Sequence, residues 1–313
     1  MSPSSSEIGV SVIVPTLDRE QELLDSLNDL VQQSYRPLEI LVIDQSLDRS
    51  TSVAQFVAKH YDLIRYHRVT FRGLPEARNY GWHVARYDAI IYIDDDTRFG
   101  PTFVTEHLRA LQMPGVGLAG GGIDEQSTEP DRRRTGKFNY WTATPSRGFA
   151  SEREEYVDHA PGGNFSVWRH AIAAVGGVDE RLSVGAALYE ETDLCLRLKR
   201  AGFRIYFNGR ARLTHLAVPR GGSRVRSITT YVAGLSHNRS LLVRRHIRWL
   251  QRPTAALRLA ALVASYAWHY HSSGIVVAAL RGAARGFLAG AKPPLVTAVP
   301  AHELVMHSRS AKG

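Results

Sequence analysis

Short apolar runs alternate along this chain with stretches whose apolar residues recur every three or four positions. Val10 to Pro15 reads Val-Ser-Val-Ile-Val-Pro, a buried β-strand. It ends at Pro15-Thr16, and Asp18-Arg19-Glu20 open a helix with an acidic first turn. Leu23, Leu24, Leu27, Leu30 and Val31 form the apolar face of that helix. A second buried strand, Leu38 to Ile43, runs into Asp44-Gln45-Ser46. The pattern then predicts a helix over Thr51–His60 and a short strand at Ile64–Tyr66. Gly73-Leu74-Pro75 leads into a helix carrying Ala77, Arg78, Asn79 and Gly81. Five apolar residues, Ala89 to Ile93, form the next strand, buried on both faces. Strand and helix in alternation are the grammar of a mostly parallel α/β sheet, which binds ligands at the carboxyl ends of its strands.

Three of those strand ends are polar: Pro15-Thr16, Asp44-Gln45 and the triplet Asp94-Asp95-Asp96. Three adjacent carboxylates repel one another, so a cation is expected among them. Oxygen ligands suit a hard ion such as Mn2+ or Mg2+, which in turn holds phosphate. In an extended chain Asp94 and Asp96 point one way and Asp95 the other, so Asp94 and Asp96 are the expected working pair. The dinucleotide fingerprint and the P-loop signature are both absent.

Further on, a helix is predicted from Thr102 to Leu111, then Val116–Ala119 and the glycine run Gly120–Gly122. Glu125 to Gly136 reads as a polar loop over the site, with aromatics at Phe138–Trp141 beside it. Pro161-Gly162-Gly163-Asn164 reads as a glycine-rich turn whose backbone can approach a ligand. Arg169–Ala174 is a short helix, and Leu194, Leu198 and Ala201 mark a longer one that stops at Gly202. Glu190, Glu191 and Asp193 crowd its N-terminus. Arg204–Phe207 and Arg212–His215 read as two separate strands, and Arg220 to Arg224 as a flexible basic loop able to close over phosphates.

From Tyr231 the character changes. Ser240–Leu250, Leu257–Trp268 and Ile275–Leu288 are apolar helices studded with arginine and edged with aromatics, a composition suited to an anionic membrane interface. Ala291 to Gly313 reads as a loose end. The net charge of +9 fits such a surface or a phosphorylated substrate, and no zinc-knuckle, RNP-like or basic–aromatic pattern supports a nucleic-acid partner. The single cysteine, Cys195, excludes an internal disulfide and points to a reducing compartment. The short polar N-terminus lacks signal-peptide architecture, and no apolar run is long enough to span a bilayer. A cytoplasmic protein, peripheral on the inner face of the membrane, is expected.

Four segments, in order, resemble one family. They are Val-Ser-Val-Ile-Val-Pro-Thr-x-Asp-Arg, Ile-Leu-Val-Ile-Asp-Gln-Ser, Gly-Leu-Pro-x-Ala-Arg-Asn-x-Gly and Ile-Asp-Asp-Asp. Together they are similar to the nucleotide-sugar half of a family 2 glycosyltransferase with the GT-A fold. The family often has Asn at the position of Asp18 and a second Asp at the position of Gln45. The resemblance implies an α/β GT-A domain over 1–228, with the nucleotide-sugar half at about 1–100 and the acceptor half at about 101–228. A helical basic region, 229–313, follows. It further implies inverting transfer from a nucleotide-diphosphate sugar to the hydroxyl of a glycan or lipid-linked acceptor, in polysaccharide, cell-envelope or glycolipid synthesis. By position, Pro15, Thr16 and Arg19 would line the nucleoside pocket, and Asp44 and Gln45 would contact base or ribose. Arg78, Asp94 and Asp95 would contact the donor, and Asp96 with His215 would hold the cation. Gly163, Asn164 and Glu190 would meet the acceptor. Glu191, where the family often has Asp, would be the catalytic base, with Glu190 or Asp193 in reserve; Arg220 or Arg224 would add charge at the diphosphate. A sugar-phosphate nucleotidyltransferase and a non-catalytic scaffold of the same fold remain as alternatives.

Overall fold

The computed structural model describes residues 7–48, 50–125, 134–222 and 225–297. The elements are β1 (Val10–Thr16), α1 (Glu20–Val31), β2 (Leu38–Asp44), α2 (Thr51–Lys59), β3 (Ile64–Arg68), α3 (Leu74–Val84), β4 (Ala89–Ile93), β5 (Thr97–Phe99) and α4 (Phe103–Leu111). Next come β6 (Val116–Glu125), β7 (Phe138–Asn139), β8 (Thr144–Pro145), β9 (Glu154–Val157), β10 (Asn164–Trp168), α5 (Arg169–Ala174), α6 (Glu190–Arg200) and β11 (Arg204–His215). Three helices close the described chain: α7 (Ile228–His246), α8 (Arg252–His269) and α9 (Gly274–Ala289).

The main sheet has the order β3-β2-β1-β4-β10-β6-β11-β5, with β9 also on β11. Strands β3, β2, β1 and β4 are parallel. Every residue of β1, β2 and β4 is buried, as expected for strands covered on both faces. Their side chains alternate between two cores. Val12, Val14, Ile40, Val42 and Ile91 pack under Leu23, Leu27 and Leu30 of α1 and under α4. Ile13, Leu41, Ile43, Ile90 and Tyr92 pack under Ala77 and Tyr80 of α3 and under Leu194, Cys195 and Leu198 of α6. Cys195 is therefore a core residue.

Three sequence expectations are corrected. Asn164–Trp168 is a strand, antiparallel to both β4 and β6. Its polar residues Asn164 and Ser166 are fully buried, which broke the apolar pattern; both meet His107 of α4 across the sheet. Arg204–His215 is one strand, interrupted only by register shifts against β6. The described part of the expected loose end, 291–297, is anchored. Arg181 donates to the carbonyls of Ala289 and Lys292, and Thr297 donates its N–H to Glu180.

The C-terminal helices are knitted into this body. Gly282, Gly286 and Gly290 press on the carbonyls of Ala233, His237 and Leu241 of α7. A Cβ at those glycines would lie 2.3, 1.9 and 2.7 Å from these oxygens. Asn238 of α7 donates to the carbonyls of Leu182, Val184 and Leu188, which fastens the segment leading into α6. Arg245 and His246, expected on a membrane-facing surface, instead point inward. Arg245 reaches Asp179 and Asp193 at 2.6 Å each, and His246 reaches Asp193 at 2.7 Å. No described helix is long and apolar enough to cross a membrane.

Candidate active site

The carboxyl ends of β1, β2 and β4 lie side by side: Thr16 is in register with Asp44, and β1 also flanks β4. Asp94, Asp95 and Asp96 follow β4 directly, in the tight connection to β5. Ser26 of α1 clamps that connection by donating to the carbonyls of Asp95 and Thr97. The alternation expected for the triplet is present. Asp94, Asp96 and His215 each offer a ligand atom, and these atoms lie within 4.8 Å of one another. Asp95 turns the other way, into the protein.

Asp95 is 3% exposed. Thr16 Oγ1 donates to its Oδ2 at 2.7 Å and Arg19 Nη1 to its Oδ1 at 2.6 Å. Burial pushes the Asp95 carboxyl up to about 6, against the opposing pull of Arg19 and Thr16. Asp95 therefore braces the ends of β1 and β4. Thr16 and Arg19, expected with Asp95 at the donor, place polar side-chain atoms on it here. Pro15 is likewise buried.

Asp96 is held differently. The Val218 N–H donates to its Oδ2 at 3.2 Å. Its Oδ1 lies 3.0 Å from Arg19 Nη1 and 3.4 Å from His215 Nε2, yet accepts no well-formed hydrogen bond. Burial would raise the Asp96 carboxyl, but His215, Arg19 and Val218 outweigh it and hold it low. His215 is raised in return, chiefly by its close polar contact with Asp96. A buried carboxylate oxygen without a proper partner, beside an imidazole and a second carboxylate, fits a divalent cation of the Mn2+ or Mg2+ type.

Asp94 is the open member, with 31% of its side chain exposed. Gly163 passes so close that a Cβ there would sit 2.6 Å from Asp94 Oδ2. The neighbouring Gly162 approaches Glu191, where a Cβ would lie 3.3 Å from Oε2. The two glycines thus join the aspartate connection to the first turn of α6. Beneath them lies Arg78, which donates to the Gly162 carbonyl at 2.6 Å, pairs with Glu190 and sits 3.7 Å from Asp94. Its guanidinium stacks 5.2 Å from the centre of the Phe165 ring. Arg78 is 1% exposed and Glu190 is fully buried. Arg78, expected at the donor, and Glu190, expected at the acceptor, are thus paired with each other beneath the surface. Asn164, expected to meet the acceptor, donates to the carbonyls of Gly122 and Ala211 and meets His107, all inside the sheet.

Among the acidic residues of α6 only Glu191 is open. It is half-buried and accepts one hydrogen bond, from Thr192 Oγ1 at 2.9 Å. Asp193 is wholly buried between Arg197, Arg245 and His246, whose charges hold it well below the ordinary carboxylate range despite burial. It cannot take a proton from an acceptor.

At the end of β2, Asp44 accepts from Tyr66 and from the Ser46 N–H, and the Gln45 side-chain oxygen accepts from Gly73 N at 2.7 Å. Both are buried, so the open surface of this corner belongs to Asp18, Ser46 and Leu47. Sequence reasoning did not single out Val218 or Leu47. The structure marks this neighbourhood in a way the sequence does not, by non-glycine residues in left-handed backbone. Asp18, Ala217 and Tyr189 have φ of 55°, 54° and 71°, and they flank Arg19, His215 and Glu190. Of the basic loop, Arg220 accepts from Arg19 through its carbonyl, and Arg224 lies outside the described residues.

Residues 11–176 match the family model described as Glycosyl transferase family 2. The glucosyl-dolichyl phosphate glucuronosyltransferase of Haloferax volcanii is 25% identical over 216 residues, 66% of this chain and 68% of that protein. Among solved structures, the mannosyltransferase PcManGT from Pyrobaculum calidifontis, in complex with GDP-Man and Mn2+, superposes with a TM-score of 0.57 at 17% identity. That match covers 89% of this chain and 86% of the other. GalNAc-T7 with UDP, GalNAc and Mn2+ gives 0.59 at 16% identity, over 73% of this chain and 47% of that one. This chain therefore spans about half of the GalNAc-T7 chain. The likeness to both structures is one of fold, of the GT-A type.

Proposed function

The chain belongs to glycosyl transferase family 2, and from that premise we propose that it moves a sugar, with inversion, from a nucleotide-diphosphate sugar to an acceptor hydroxyl. Glu191 takes the proton of that hydroxyl as the oxygen attacks the anomeric carbon, and the bond to the diphosphate breaks on the opposite side. The observation that carries the reading is the convergence of Asp94, Asp96 and His215 at one strand end, with Glu191 on the adjoining wall across Gly162 and Gly163. Asp96 and His215 would hold the divalent ion. When bound, such an ion offsets the charge growing on the departing diphosphate. Arg78 and Glu190 position the two walls from below. A sugar-phosphate nucleotidyltransferase is not favoured, because the family and the relatives that match are glycosyltransferases.

The test is a panel of nucleotide-diphosphate sugars, each with Mn2+, followed by thermal stability and by release of nucleoside diphosphate. One donor is expected to raise the melting temperature with Mn2+ and not with EDTA, since a ligand that binds only the native state stabilises it by mass action. Indifference to every donor with and without Mn2+ would remove this reading.

The acceptor is proposed to be a glycan or lipid-linked hydroxyl presented at an anionic membrane surface on the cytoplasmic side. Between Asp193 and Glu303 the sequence has no acidic residue. Over the same helical region Trp249, Leu257, Trp268, Leu280 and Leu288 stand 66–82% exposed, with Arg248, Arg258, Arg281 and Arg285 exposed among them. Apolar anchors edged by uncompensated arginines suit an anionic interface. The protein is expected to sediment with vesicles containing phosphatidylglycerol and much less with pure phosphatidylcholine. Trp249→Ala with Trp268→Ala should release it, and equal recovery of that variant on the pellet would refute the surface.

A further inference from the structure

A second charged cavity lies at the other end of α6. It measures about 390 Å³ and is lined by Arg197, Arg200, Arg244, Arg245 and residues 290–294, Lys292 among them. Helix α6 rises about 15 Å between Glu190 and Arg200, so this cavity is remote from the aspartate triplet. We propose that it is a binding site for a phosphate-type oxyanion, separate from the donor site.

Two carboxylates lie behind the cavity, and both are already neutralised. Asp179 accepts from Arg181 and Arg245, and Asp193 from Arg197, Arg245 and His246. Among the described residues no carboxylate pairs with Arg200, Arg244 or Lys292. The Arg244 guanidinium has only the Phe287 ring, 5.4 Å away. The C-termini of α6 and α7 both point here and attract cations. With α9, whose C-cap Gly290 lines the cavity, three helix ends supply about half a negative charge each, still too little to offset three uncompensated cations.

One buried donor also lacks a partner. The Arg197 side chain is 8% exposed. Its Nε serves Asp193 and its Nη1 the Val175 carbonyl, while Nη2 makes no hydrogen bond. A buried guanidinium N–H left unpaired is costly unless a ligand completes it. Planar guanidinium groups suit phosphate best, and Arg197, Arg200, Arg244 and Arg245 bring four of them to this cavity. Arg244 of the cavity overlies the Phe287 ring, and Leu288, 72% exposed, stands two residues before the lining residue Gly290. A phosphate carried on a lipid could therefore rest its chains on α9 while its headgroup fills the cavity. A free phosphate or pyrophosphate would use the cavity alone.

The experiment titrates the full chain with sodium pyrophosphate in EDTA, which removes the cation needed for phosphate capture at the aspartates. In parallel it measures sedimentation with phosphatidylcholine vesicles with or without phosphatidic acid. The comparison protein carries Arg200→Gln, Arg244→Gln and Lys292→Gln. Lys292→Glu alone, at an exposed position, serves if the triple variant does not fold. The wild type is expected to bind, and the triple variant to bind about tenfold or more weakly, the size of one lost charge-assisted hydrogen bond. Pyrophosphate uptake identifies a free anion as sufficient. Cavity-dependent binding of phosphatidic acid vesicles alone identifies a lipid-borne phosphate. No binding by the wild type in either arm, or equal binding by wild type and variant in both, overturns the proposal. Neither outcome bears on sugar transfer, which depends on the opposite end of α6.

Discussion

Glu191→Gln is expected to lower the rate of sugar transfer by about 10²- to 10⁴-fold, the usual contribution of a positioned general base, while donor affinity stays within a factor of about two. The amide matches the carboxylate in size and can still accept from Thr192 Oγ1, so the first turn of α6 keeps its shape. What it loses is the ability to carry away a proton. The geometry leaves no substitute nearby. Glu190 is locked against Arg78, and Asp193 is enclosed by Arg197, Arg245 and His246. Steady-state kinetics paired with a donor titration separate the two effects. A variant that keeps near-normal turnover would place the base outside α6 altogether. Glu191→Asp should fall between, since the shorter acid retains the chemistry and loses reach.

Asp96→Asn should weaken Mn2+ binding by more than about 100-fold, beyond the range seen when only an outer partner of a metal ligand is removed. Asp96 Oδ1 is the buried oxygen with no well-formed hydrogen bond, and it lies 3.0 Å from Arg19 Nη1 and 3.4 Å from His215 Nε2. Neutralising it leaves those two groups without their common partner, so some loss of stability must accompany the change. Direct Mn2+ titration, followed by electron paramagnetic resonance well below the melting temperature, distinguishes lost affinity from lost fold. Metal binding should also strengthen as pH rises. His215 is raised by Asp96 and binds a cation only once its proton has left, so the unprotonated, binding form gains population with increasing pH. Wild-type affinity that is flat with pH, or full Mn2+ binding by Asp96→Asn, would exclude this pair as the cation's holders.

The left half of the sheet was legible because its signals are local. Val10–Pro15, Leu38–Ile43 and Ala89–Ile93 are apolar runs bounded by polar turns, and each is a strand within a residue or two of its expected ends. Alternation along an extended chain also gave the right division of the triplet, with Asp94 and Asp96 on the site and Asp95 behind it. What sequence could not give was the direction in which a charged side chain is spent. Arg78 and Glu190 look like ligand groups in a motif, but long-range packing joins them under the Gly162–Gly163 turn. Asn164 looks like part of a glycine-rich turn, yet its partners are His107, Gly122 and Ala211, all 40 or more positions away. Arg245 and His246 suffer the same fate. Their basic, amphipathic setting suggests a surface, and only the approach of Asp179 and Asp193 turns them inward.

The glycine seam between α9 and α7 has a mechanical consequence. Gly282, Gly286 and Gly290 recur at the same interval as Ala233, His237 and Leu241, so the two helices mesh like gear teeth. Sliding by one residue would drive a methyl or larger group into a carbonyl, and the next permitted notch is about 6 Å away. Creeping adjustment is thereby ruled out. The arm that carries Leu280 and Leu288 holds one fixed bearing relative to the sheet, and any load placed on its outer face is transmitted rigidly through α7 to the residues that Asn238 grips ahead of Glu190.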